Sequence, residues 1–135
     1  ACHLRATFYK PELAGIIPPD QIEGKAKVFI DFEDRLTLFD AMILCKFYRD
    51  LYPWELLGEL ISASTGIAPD QETLQEIANN IALKVREFNI REGMTDRHET
   101  LPPPLYEKLT DSGDTITPNE LDTLIKDYQH LRKWT

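Results

Sequence analysis

Helical periodicity broken by proline and glycine, with no run of sustained two-residue alternation, is the feature that most limits the folds open to this chain. From Asp20 onward apolar residues recur at three- and four-residue steps through Ile22, Ala26, Phe29, Phe32, Leu36 and Phe39. That spacing predicts a long helix with one apolar stripe on a core. Through Met42, Ile43, Leu44, Cys45, Phe47 and Tyr48 the pattern turns apolar nearly all round, which predicts a stretch buried on several sides.

Pro53 suits the first turn of a second, short helix carrying Leu56, Leu57, Leu60 and Ile61, stopped by Gly66. A third starts near Pro69 and Asp70, with Leu74, Ile77, Ala78, Ile81, Val85 and Phe88 expected inward and Gly93 at its end. Asn89 to Pro104 reads as an extended surface loop with Pro102, Pro103 and Pro104. Thr117 and Glu120 form a capping box around Pro118, opening a last helix with Leu121, Leu124, Ile125, Tyr128, Leu131 and Trp134 inward. The segment from Ala1 to Pro19 reads as a long N-terminal loop. The expected fold is therefore an all-α, irregular bundle of about four to five helices with a Pro-rich late loop.

A chain of 135 residues is expected to form one domain. Fifteen basic against 23 acidic residues give a net charge of −8, which repels phosphate backbones and anionic membranes, so neither nucleic acid nor membrane is an expected partner. No apolar run approaches the roughly 18 to 20 residues that span a bilayer, and the start lacks a signal-peptide layout. Two cysteines make no disulfide framework, which favours a reducing, cytoplasmic setting. The abrupt start, without an initiator Met, reads as a chain cut from something larger.

Chemistry is sought in single residues, since no internal repeat is present. Taken alone, Cys45 beside Leu44 and Phe47 reads as an inert core thiol, and Asp40 as a carboxylate paired with Lys46 or Arg49 or facing water. His98 and His130 read as surface residues. His3 reads as a terminal imidazole, and Cys2 leaves a disulfide with Cys45 open.

Together, Asp40, Leu44 and Cys45 in the run DAMILC resemble the Asp, two residues, Gly, Leu, Cys motif of the tungsten-containing aldehyde ferredoxin oxidoreductases. The opening ACHLRATFYKPEL is similar to that family's upstream glycine, cysteine, histidine stretch. EGKAK, LCKFYRD, FNIREG, LPPPL and the terminal LRKWT carry the resemblance over nearly the whole chain. It implies that Cys45 binds a four-iron four-sulfur (4Fe-4S) cluster, that Asp40 with Leu44 lies at a pterin of a tungsten-bis-pterin cofactor, and that His3 is the catalytic histidine near the tungsten. It also implies a parent enzyme oxidising aldehydes to carboxylic acids and passing electrons to ferredoxin.

On this resemblance the chain is the C-terminal helical domain, residues 1–135, whose partner is the missing N-terminal part of the same polypeptide. The isolated fragment is expected to be inactive and without cofactor. Ile43 stands where the motif has Gly, so a different local turn is expected, and Pro103 and Pro104 leave no ligand role to the late loop. Two alternatives stay open: a relative with another redox reaction, such as low-potential aromatic thioester reduction, or a cofactor-free helical interaction module.

Overall fold

The computed structural model describes Pro11 and residues 14–18, 20–111 and 113–134. Among the described residues it contains helices and no strand. The helices are α1 (Lys25–Ala41), α2 (Trp54–Thr65), α3 (Gln71–Arg91) and α4 (Pro118–Leu131), with 3-10 turns at Lys46–Leu51, Asp96–His98 and Pro103–Tyr106. The all-α expectation holds.

Helix α1 is the central element: α3, α4 and the first 3-10 turn pack on it, while α2 packs on α3. Leu38 and Phe39 of α1, Trp54 and Leu57 of α2 and Leu74 and Ala78 of α3 form the buried core, with Leu44, Tyr52 and Ile61 against it. Burying each large apolar side chain here contributes about 1.5–3 kcal/mol. The Trp54 indole donates to Asp31 Oδ1 at 2.8 Å, tying the start of α2 to α1. Gly58 lets the loop before α3 come close, since a Cβ there would lie 3.2 Å from the Pro69 carbonyl oxygen.

The ends of the helices follow local chemistry. Asp70 accepts the Thr73 N–H at 2.8 Å to open α3. Thr117 and Glu120 close a reciprocal box at the start of α4, Thr117 N–H to Glu120 Oε2 at 2.7 Å and Glu120 N–H to Thr117 Oγ1 at 3.2 Å. Gly93, at φ 100, ends α3.

Four expectations need correction. Helix α1 begins at Lys25 rather than Asp20, because turns closed by Gln21 N–H to Pro18 O and Lys25 N–H to Ile22 O take up the preceding residues. The stretch after Met42 is not buried on several sides: α1 has ended, its residues no longer share a helix face, and Ile43 is 93% and Phe47 85% exposed. Helix α3 continues through Arg91, so the late loop is shorter than expected and is itself interrupted by 3-10 turns. Only part of the predicted α3 stripe is buried. Leu74 and Ala78 are, whereas Ile77, Val85 and Phe88 are exposed. At 1.5 Å per residue α3 runs about 31 Å against about 18 Å for α2, so α2 covers only part of its length.

In α4, Leu121, Leu124, Ile125 and Tyr128 are half-buried as expected for an inward stripe, as is Trp134 just beyond its end, but Leu131 is exposed. The predicted loop over Ala1 to Pro19 falls mostly outside the described residues. Within it, the N–H groups of Ile16 and Ile17 both donate to the Pro11 carbonyl.

Candidate functional site

The Asp40 to Cys45 segment is the C-terminal cap of α1. The Leu44 N–H reaches back to the Phe39 carbonyl at 2.8 Å and the Ile43 N–H to the Asp40 carbonyl at 3.2 Å, which together make a Schellman motif. Closing it requires a left-handed residue at Ile43, and Ile43 adopts φ 58. The isoleucine takes the left-handed conformation that glycine favours. A β-branched residue there is strained, at about 1–2 kcal/mol. Leu44 packs against the core cluster that contains Phe39, the apolar contact that usually accompanies this cap.

Cys45 follows in extended conformation, φ −72 and ψ 114, at the head of the Lys46–Leu51 turn, where its carbonyl accepts the Tyr48 N–H at 3.0 Å. Its thiol is free and exposed, so the inert core reading is overturned. Upstream and downstream hydrogen bonds thus fix the backbone on both sides of the sulfur. Within six residues of it in the chain, Ile43, Phe47, Tyr48 and Leu51 are all exposed.

Asp40 takes the partner that residue reasoning offered. Lys46 Nζ donates to Asp40 Oδ2 at 2.7 Å, across the turn, with the lysine side chain 26% and the aspartate 65% exposed. Asp40 also stands at the rim of an open cleft of about 530 Å³ between α1, α3 and α4, whose walls include Thr37, Ile81, Val85, Tyr128 and Trp134.

Sequence reasoning missed the ionic cluster under α4. Arg132, 2% exposed, donates through Nη1 to Asp34 Oδ1 at 2.6 Å and Asn79 Oδ1 at 3.2 Å, and through Nη2 to Glu33 Oε2 at 2.6 Å. The Tyr128 hydroxyl donates to the same Glu33 oxygen at 2.6 Å. Burial pushes the Asp34 carboxyl above its usual range, although Arg132 pulls it down. Burial and the Glu33 carboxylate both raise the Tyr128 hydroxyl. Burial alone would lower Arg132, but its hydrogen bonds to Glu33 and Asp34 outweigh that and raise it. A second cluster joins Arg86 to Glu99 at 2.5 Å, with Gln129 on the other Glu99 oxygen at 2.7 Å and the Trp134 ring 4.8 Å from the guanidinium. These contacts hold α4 in place, although the buried Arg132 Nε and Trp134 Nε1 make no hydrogen bond. The sequence offered only the LRKWT string, which contains Arg132 without a role, and the inward stripe that included Tyr128 and Trp134.

The structure therefore brings Asp40, Leu44 and Cys45 into one turn. His3 and Cys2 lie outside the described residues. His98 and His130 are exposed, as expected. Among the described residues no group of three or more His, Cys, Asp or Glu side chains could hold a metal ion, and no helix is long and apolar enough to cross a membrane.

The family described as aldehyde ferredoxin oxidoreductase, domains 2 and 3, matches residues 1–135. The tungsten-containing aldehyde ferredoxin oxidoreductases of Pyrococcus abyssi, Pyrococcus furiosus and Thermococcus kodakarensis are each 28% identical to the chain over 144 aligned residues. Each alignment covers 99% of this chain and 23% of the relative, so the chain spans about a quarter of the length of these proteins. No solved structure matches it significantly.

Proposed function

Because the chain belongs to the aldehyde ferredoxin oxidoreductase family, we propose that it is the C-terminal helical domain of an enzyme that oxidises aldehydes to carboxylic acids. In that enzyme a tungsten-bis-pterin cofactor and a 4Fe-4S cluster supply the two-electron oxidation and the one-electron relay to ferredoxin. The observation that carries this reading is the Asp40 to Cys45 turn, which is left-handed at Ile43 and holds a free, exposed thiol.

The donor set fits a shared group. A cluster takes four thiolates, and Cys45 offers one, exposed and on fixed backbone. The other three belong to the missing N-terminal part of the polypeptide, which would cover Ile43, Phe47 and Leu51. Such cover sets a cluster's potential through burial and nearby N–H groups. Asp40, as a carboxylate, is an acceptor only and suits the N–H donors of a pterin. Leu44 anchors this turn to the core from the other side. His3 would lie near the tungsten, where an imidazole can give or take a proton near neutral pH. We infer a cytoplasmic enzyme from the two cysteines, which make no disulfide framework.

Aldehyde-dependent viologen reduction and tungsten analysis test this. The full-length enzyme is expected to hold tungsten and reduce the dye with aldehydes, and the 135-residue chain alone to do neither. A full-length enzyme that turns over aromatic thioesters but no aldehyde would overturn the substrate assignment.

A further inference from the structure

Lys46 sends its charged side chain back across the turn, from the position after Cys45 to Asp40, the two residues on which the proposed site depends. Its Nζ holds Asp40 Oδ2 at 2.7 Å while its own backbone starts the 3-10 turn directly after Cys45. Its carbonyl is in turn held by Arg49 Nη1 at 3.0 Å. Three-quarters of the lysine side chain is out of water, which is unusual for a lysine serving only a solvated surface pair.

Two consequences follow from this geometry. With Oδ2 occupied, Oδ1 is the oxygen of Asp40 left to accept from a further donor; among the described residues nothing else engages it. The ammonium also neutralises the carboxylate in the same turn as Cys45, where thiolate charge would collect in the proposed site. We propose that Lys46 is the positioning residue of this site: it aims Asp40 and cancels the carboxylate's charge beside Cys45. This rests on the proposed function above.

The test uses the full-length enzyme, with iron content and the cluster's midpoint potential as readouts. Lys46→Met leaves Asp40 uncompensated and is expected to move the potential more negative, because added negative charge disfavours the reduced cluster. Lys46→Arg keeps the charge and is expected to stay at the parent value. Asp40→Asn combined with Lys46→Met restores neutrality and is expected to return the potential towards the parent's. Loss of iron from Lys46→Met but not from Lys46→Arg supports the same assignment.

An unchanged potential in Lys46→Met with iron intact overturns the inference, as does equal iron loss in both lysine variants. A merely structural role would move neither the potential nor its recovery in the double variant. Cys45→Ala separates the two levels: if it leaves iron unchanged, the underlying function fails, whereas a null Lys46 result with iron dependent on Cys45 removes only Lys46's role.

Discussion

Ile43 is the most unusual residue in the chain. It is β-branched, almost fully exposed and left-handed, at the point where a Schellman cap needs that conformation. In the isolated chain its side chain gains little from packing, so its strain of about 1–2 kcal/mol is not offset locally. Ile43→Gly removes that strain at a cost of about 0.5–1 kcal/mol in backbone entropy. The variant is expected to be more stable by roughly 0.5 kcal/mol, read as a higher urea midpoint; a lower midpoint would show that the isoleucine packs usefully. Cys45 makes a second residue-scale prediction. In a Cys2→Ser background its thiol is expected to react with an aromatic disulfide reagent without denaturant, at the same rate as in urea to within a few-fold; protection until unfolding would contradict its exposure.

Among the elements, both ends of α2 and α3 and the start of α4 were legible in the sequence because capping is chemistry between near neighbours, whereas neither end of α1 was. The Thr117 and Glu120 box, Asp70 and Gly93 each act over a few residues, and a local pattern suffices to find them. Thr117→Ala is expected to cost about 1 kcal/mol and to raise amide exchange in the first turn of α4. The hydrogen bonds from Thr117 hold Glu120, and those from Thr73 hold Asp70, below the usual carboxylate range. Their contributions are therefore present above the unfolded pKa and lost as pH falls through the lowered folded values. Exchange in the first turns of α3 and α4 should rise on acidification. Burial was less legible. The stripe on α3 is periodic throughout, but periodicity marks a face without saying how much of it a neighbour reaches, so Ile77, Val85 and Phe88 are exposed. The apolar run after Met42 misled for a related reason: its composition is that of buried chain, while the cap at Ile43 had already ended the helix.

For the whole molecule, the Arg132 cluster ties α1, α3 and α4, and it was not legible because Asp34 and Arg132 lie 98 positions apart. Nothing local announces such a pair. Arg132→Met leaves Glu33 and Asp34 without their cation and is expected to cost about 3–5 kcal/mol. Asp34→Asn keeps an oxygen for Arg132 and should cost well under that. Since burial raises the Asp34 pKa in the fold, its contribution is present below the unfolded carboxylate pKa and lost as pH rises through the raised value. Urea unfolding at a series of pH values should therefore show wild type losing ground to Asp34→Asn as pH rises; the opposite trend would mean that the Arg132 attraction outweighs burial.

The proposed site shows in the sequence as spacing alone. Asp40, Leu44 and Cys45 could be placed in one motif, but the Asp40 to Lys46 contact and the outward thiol needed the cap's geometry. The proposed function depends on that thiol binding iron together with ligands elsewhere in the polypeptide. Iron per protein in the purified full-length enzyme, compared with its Cys45→Ala variant, tests it most directly. The variant is expected to lose the cluster's iron, and an equal iron content in the two proteins would contradict the assignment.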